Sequence, residues 1–367
     1  MPLSTAPLYK PFSVKGLNLP NRIVMAPMTR SFCPDGIPGP DVAAYYRRRA
    51  ENQVGLIITE GTVIDNPAST NDPRVPRFHG EAALAGWARV ADEVHAAGGL
   101  IMPQIWHVGT VRRVGDRPNP EAPPIGPSGL YKPGVKVVEP MTEAEIAAVI
   151  AAYAQAAADA KRLGFDGVEL HGAHGYLIDQ FFWEGTNQRA DRYGGDMVAR
   201  TRFAVEVIQA CRRAVGADFT IVLRYSQWKQ QDYGARLVAT PELLARFLAP
   251  LVDAGVDVFH CSTRRFWEPE FEGSALNLAG WTKKLCGKPV ITVGSVSLDT
   301  DMFAAFRGQG AAITSIDKLI EMIAREEVDL AAVGRALLVD PAWAVKVRDN
   351  RMQDLLPFTA ESLRRLY

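Results

Sequence analysis

The sequence predicts an α/β fold of the TIM type, a single (β/α)8 barrel spanning residues 1–367 with capping loops after the third and sixth strands. Three observations predict it. Eight short apolar runs, several nearly continuous in Val, Ile and Leu, suit parallel strands buried on both faces. These runs alternate with amphipathic helical segments, the rhythm of a sheet that closes on itself. An open doubly wound sheet would present GxGxxG after its first strand, and none is found.

The elements follow in order. NRIVMAPMT, VGLIITEGTVI and GLIMPQIW are the first three strand segments, then GVELHGA, TIVLRYS, VDVFHCST, PVITVGSV and LAAVGRAL. EAALAGWARVADEVHAAG reads as a helix stopped at Gly98. TEAEIAAVIAAYAQAAADAKRLG opens with Thr142 and Glu145 in capping-box spacing and closes at Gly164. VARTRFAVEVIQACRRAVG and TPELLARFLAPLVDAG repeat the scheme. Residues 107–140, rich in Pro and Gly, separate the third strand from its helix, and so long a loop suits a functional cap. STRRFWEPEFEGSALNLAG, after the sixth strand, is the second cap.

Composition excludes several classes. Lys+Arg and Asp+Glu both total 41, so no nucleic acid or anionic membrane is expected as partner. Hydrophobic residues at 47% and charged residues at 22% fit a globular enzyme. No apolar run approaches the length of a membrane span, and the N-terminus lacks a basic segment leading into an apolar one. Cys33, Cys211, Cys261 and Cys286 are scattered without CxxC, which suits a reducing, cytoplasmic compartment. A monomer or homodimer is expected.

In a (β/α)8 barrel the active site lies at the C-terminal ends of the strands. Every strand end here carries polar residues. Strand one delivers Thr29 and Arg30, strand two Glu60, Gly61 and Thr62, strand three Gln104, Trp106 and His107. Strand four delivers His171, His174 and Tyr176, strand five Arg224, and strand six His260, Ser262, Thr263 and Arg264. The last two end in Gly294-Ser295 and Gly334-Arg335. Phosphate sites in these barrels form after strands seven and eight, where glycines admit backbone N–H groups and Arg335 offers a charge-assisted contact. Two tight turns and a surface arginine would look the same. His171 and His174 admit three readings: metal ligands needing a third group such as Asp179, donors to a carbonyl or phenolate oxygen, or strand-end residues satisfied by backbone. Phe266 and Trp267 read as packing, and Arg264 and Arg265 as a solvated face.

Taken together, NRIVMAPMTR, QIWHVG, VELHGAHGYLIDQFFWEGTNQRADRYGGD, LRYSQW, TVGSV and AVGRALLVDP resemble the old yellow enzyme family of FMN-dependent NADH:flavin oxidoreductases. The segments occur in that family's order and cover nearly the whole chain. The resemblance implies FMN as bound cofactor and NADPH or NADH as hydride donor. Ala26, Pro27 and Met28 then lie along the flavin. Thr29 approaches its C4 carbonyl, where another branch of the family has Cys. Gly61 and Gln104 reach the ring edge, Arg224 its N1/O2 side, and Gly294, Ser295, Gly334 and Arg335 the phosphate. His171 and His174 grip the activating oxygen of an α,β-unsaturated carbonyl or nitro substrate, Tyr176 donates the proton, and Trp106 shapes the pocket. The implied reaction is ene-reduction of enones, enals, maleimides or nitroalkenes. The alternative is a metal-dependent barrel hydrolase built on His171 and His174.

Overall fold

Eight parallel strands close on themselves in chain order. They are Ile23–Met25, Leu56–Val63, Ile101–Trp106, Gly167–His174, Thr220–Lys229, Val258–Ser262, Val290–Val293 and Leu330–Val333, called strands one to eight below. The computed structural model describes residues 3–367, apart from the side chains of Ala305 and Phe306. Each of the eight strands falls within the apolar run expected for it. All eight are buried along their whole length, as strands covered by helices outside and packed side chains inside must be.

The helices end where their punctuation says. Glu143–Arg162 begins with a true capping box: the Glu145 N–H donates to the Thr142 hydroxyl, and the Glu145 carboxylate accepts from the Thr142 N–H. Gly98, Gly164 and Gly255 take positive φ just past three helices, the backbone conformation that costs other residues most. Pro241–Ala254 starts at Thr240, whose side chain accepts the Leu243 N–H.

Two apolar layers result. The larger cluster lies between strands and helices. The smaller fills the barrel interior with Val24, Leu56, Ile58, Met102, Val222 and Ile291, among others. An antiparallel hairpin, Phe12–Val14 with Leu17–Leu19, adds Leu17 and Leu19 to that inner cluster and plugs the N-terminal end of the barrel. Only the C-terminal mouth is left to bind anything.

Four segments surround that mouth. Residues 107–142 form a short turn of helix and a small hairpin, Leu130–Lys132 with Val135–Lys136, and set Val108 and Val111 against Trp106 and Tyr176. The segment after strand six brings Thr263 and Arg264 to the cavity wall. Two further pieces have no counterpart among the expected caps. After strand seven, the short helix Met302–Phe306 places Met302 and Phe303 over the cavity. The C-terminal segment doubles back: Phe358 and Ala311 exchange backbone hydrogen bonds, and Phe358 and Leu363 line the mouth. Among the described residues no helix is long and apolar enough to cross a membrane.

Candidate active site

Strand four carries the centre of the site. His171 pairs in register with Arg224 of strand five, but the register shifts beyond Gly172, so that His174 faces Lys229. The strand then turns sharply, with φ of +64° at His174 and +79° at Gly175. A bulge of this kind re-aims side chains at a sheet's rim. Here it brings His171, His174 and Tyr176 onto one wall.

Their rings form a packed group. The His171 imidazole stacks on Trp106 with centroids 5.8 Å apart, and Tyr176 stands edge-on to both, at 5.0 Å from His171 and 4.7 Å from Trp106. His174 stacks on Trp228 at 4.4 Å. The Ala173 N–H donates to His171 Nδ1 at 3.4 Å, which leaves the ring proton on Nε2. His174 Nε2 lies 2.8 Å from Ser262 Oγ, and that oxygen also accepts from Arg224 at 3.3 Å. Burial, reinforced by the Arg224 charge, holds both imidazoles well below the usual histidine range. They are neutral donors, suited to an oxygen that gains negative charge. Burial also raises the Tyr176 phenol, so it stays protonated.

Beneath this wall runs a polar chain. Gln104 Nε2 donates to Glu169 at 2.7 Å, and the other Glu169 oxygen lies 2.6 Å from His260 Nδ1. With its nitrogen engaged, Gln104 keeps its carbonyl oxygen for the cavity it lines. Arg224 is 7% exposed, yet its Nε–H has no partner within the protein. An orphaned buried guanidinium donor marks a place for an acceptor from outside the chain.

The cavity itself is long. One part, about 690 Å³, is lined by Ala26, Gly294, Ser295, Gly334 and Arg335; the other, about 880 Å³, by Thr29, Gln104, Trp106, His171 and Tyr176. They join along Pro27, Met28, His174, Arg224, Met302 and Arg335. At the first end Gly294 has φ of +149°, and a Cβ there would press on the Thr263 carbonyl. Arg335 reaches the Ser295 hydroxyl at 3.4 Å and the Thr300 hydroxyl at 3.3 Å, and donates to the Thr300 carbonyl. A glycine-lined end with an arginine, a long trough and an orphaned guanidinium fit a planar ring carrying a phosphate tail.

The structure thus brings Ala26, Pro27, Met28, Thr29, Gln104, Trp106, His171, His174, Tyr176, Arg224, Gly294, Ser295, Gly334 and Arg335 to one trough. Gly61 sits behind it: a Cβ there would strike the Trp106 indole, so its bareness makes room for that ring. Four strand-end groups serve elsewhere. Arg30 holds the C-terminal carbonyls of Ser362, Leu363 and Arg365. Glu60 accepts the Arg30 and Ser31 N–H groups. His107 is buried between Asn66 and the Gly109 N–H, and Thr62 bonds the Pro76 carbonyl. Asp179 does not complete a metal site with the histidine pair, because it is bound to Lys229 at 2.6 Å. Among the described residues no group of three or more His, Cys, Asp or Glu is arranged to hold a metal ion.

Other lining residues were not anticipated: Trp228, Gln230, Tyr233, Met302, Phe303, Phe358 and Leu363. The first three follow strand five, so the strand-end rule could have found them had that strand been extended through QWK. Arg264 stacks on Tyr233 at 3.9 Å, and Phe266 is core.

Comparison with known proteins agrees with this geometry. Residues 7–354 match the model of the NADH:flavin oxidoreductase / NADH oxidase family. The chain is 42% identical over 228 residues to 12-oxophytodienoate reductase 7 of Oryza sativa subsp. japonica, covering 58% of this chain and 57% of that protein. It is 34% identical over 359 residues to an NADH oxidase of Thermoanaerobacter brockii, covering 95% of this chain and 52% of that protein. The matches thus span little more than half the length of these two relatives. Morphinone reductase, solved in complex with tetrahydroNAD, superposes with a TM-score of 0.82 at 28% identity over 97% of this chain and 93% of that one.

Proposed function

Because the chain belongs to the NADH:flavin oxidoreductase / NADH oxidase family, the old yellow enzymes, we propose that it holds FMN in the trough and reduces activated alkenes at the expense of NADH or NADPH. The observation that carries this reading is the Arg224 guanidinium, buried with an unmet donor midway between a glycine-and-arginine end and a wall of neutral histidines. Gly294, Ser295, Gly334 and Arg335 hold the phosphate. Ala26, Pro27, Met28, Thr29, Gln104 and Arg224 flank the ring. Bound FMN supplies the hydride chemistry, taking hydride from the nicotinamide and giving it to the alkene β-carbon.

The chain's residues do the rest. His171 and His174 donate hydrogen bonds to the carbonyl or nitro oxygen and so draw electron density from the alkene. Arg224 keeps a fixed positive charge beside them. Tyr176, protonated at neutral pH, gives its proton to the α-carbon. Trp106, Met302, Phe358 and Leu363 exclude water and bound the alkene's far side. Enones, enals, maleimides and nitroalkenes all present the required oxygen conjugated to C=C.

A stopped-flow experiment tests the reading. The purified protein should be yellow, oxidise a reduced nicotinamide, and then be reoxidised by an enone. In Tyr176→Phe the reoxidation by enone should slow about 100-fold, within the range for loss of a general acid, while the nicotinamide step holds. A colourless protein that takes up no FMN would end the proposal.

A further inference from the structure

Three consecutive residues brace the turn that carries His174 and Tyr176. Lys229 Nζ, fully buried, lies 2.6 Å from Asp179 Oδ1, while Asp179 Oδ2 accepts the Gly175 N–H at 2.7 Å. The Gln230 N–H donates to the His174 carbonyl at 3.2 Å. Gln231 Nε2 donates to the Gly175 carbonyl at 2.8 Å, and Gln180 Nε2 joins it at 2.7 Å. The turn needs such bracing. His174 sits at positive φ, which costs a residue with a side chain roughly 1–2 kcal/mol.

Gln230 does something its two neighbours do not. It lines the cavity together with Tyr176 and His171. Its side-chain amide also hydrogen-bonds the Tyr176 hydroxyl, in the sense that favours the ionised phenol. Only an amide N–H donated to the phenolic oxygen has that sense. A phenol that accepts a hydrogen bond from behind keeps its own proton free for the cavity in front, and it becomes a stronger acid as the proton leaves.

We propose that Gln230 is a positioning residue for proton donation: its amide N–H holds the Tyr176 oxygen so that the phenolic proton faces the substrate α-carbon. Lys229 and Gln231 fix the turn on which this alignment depends. The inference rests on Tyr176 being the proton donor. In the step itself the Tyr176 O–H bond breaks. A C–H bond forms with the electron pair that hydride addition leaves at the α-carbon. The phenolate that remains is met by the Gln230 N–H and by the charge of Arg224, and a proton from water restores it.

The FMN-loaded protein, with Gln230→Leu, Gln230→Glu and Tyr176→Phe, tests this. Reoxidation of the reduced enzyme by saturating enone should slow about tenfold in Gln230→Leu, equivalent to ~1.4 kcal/mol. It should be slower still in Gln230→Glu, whose carboxylate accepts the phenolic proton instead of donating to the oxygen. Reduction by the nicotinamide and the Kd of a para-substituted phenol should stay at parental values in both, since neither needs the proton. An unchanged enone rate in Gln230→Leu, beside a slow Tyr176→Phe, overturns the proposal. Loss of phenol affinity and of bound FMN in step with the rate also overturns it, marking Gln230 as a structural prop. If Tyr176→Phe is itself as fast as the parent, it is the donor assignment that fails.

Discussion

His174 Nε2 and Ser262 Oγ lie 2.8 Å apart, and the same serine oxygen accepts from Arg224. Arginine has only donors, so the serine oxygen must accept from it, and the hydroxyl proton is free for His174. One serine on strand six thereby links the cation on strand five to the second histidine on strand four. With His171 fixed by Trp106 and by the Ala173 N–H, both imidazoles are held by partners outside the cavity.

That arrangement predicts a spectroscopic signature. A para-substituted phenol added to the FMN-loaded protein should bind as phenolate against His171 and His174 and produce a long-wavelength charge-transfer band. The His171→Ala, His174→Ala double variant should lose the band. If the band survives in the double variant, the anion is held elsewhere.

Arg335 makes a second prediction. It is the side-chain cation at the glycine-lined end of the trough. A hydrogen bond to a charged group contributes about 1.5–3 kcal/mol, so Arg335→Ala should weaken FMN binding roughly 10- to 100-fold. Ultrafiltration followed by absorbance of the released flavin measures it. Retention equal to the parent would place the phosphate away from strand eight.

His107 makes stability depend on pH. Burial between Asn66 and the Gly109 N–H pushes its pKa down to about 3. The folded chain therefore refuses a proton that the unfolded chain takes near pH 6.5. Stability attributable to this group is complete above that pH and is lost as pH falls from about 6.5 towards 3, by ~1.4 kcal/mol per pH unit. Denaturant unfolding of His107→Gln should show a shallower loss between pH 6 and pH 4 (roughly the span between these two values) than the parent; parallel curves would refute the assignment.

Gly61 predicts a change of specificity. A Cβ there would strike the Trp106 indole, which must then move into the cavity it lines. Gly61→Ala should raise KM for bulky cyclic enones by about tenfold, the order of one methyl group's misfit in an apolar pocket, and leave small nitroalkenes nearly unaffected. A substrate panel reads this directly.

How much of this was legible beforehand follows from which interactions are local. Alternation of Val/Ile/Leu runs with capped helices is a property of short windows, so the barrel, its strand order and the capping box at Thr142 were all readable in the chain. The strand-end rule then collected His171, His174, Tyr176, Arg224 and Arg335, because in this fold every strand delivers its last residues to the same mouth. It also collected Arg30, Glu60, Thr62 and His107, whose partners are backbone groups that no spacing in the sequence identifies.

What only the tertiary structure decided depends on contacts between distant segments. The shift in register between Gly172 and His174 carries strand five on through Gln227, Trp228 and Lys229, and so brings Gln230 to Tyr176. The return of the C-terminal segment to Ala311 puts Phe358 and Leu363 over the cavity. Asp179, only five residues beyond His174, is taken from any metal by Lys229, fifty positions away. Local pattern sets which strands form, because hydrophobic period is a short-range property. Which polar groups remain free to meet a substrate is settled only when every other buried donor and acceptor has found its partner.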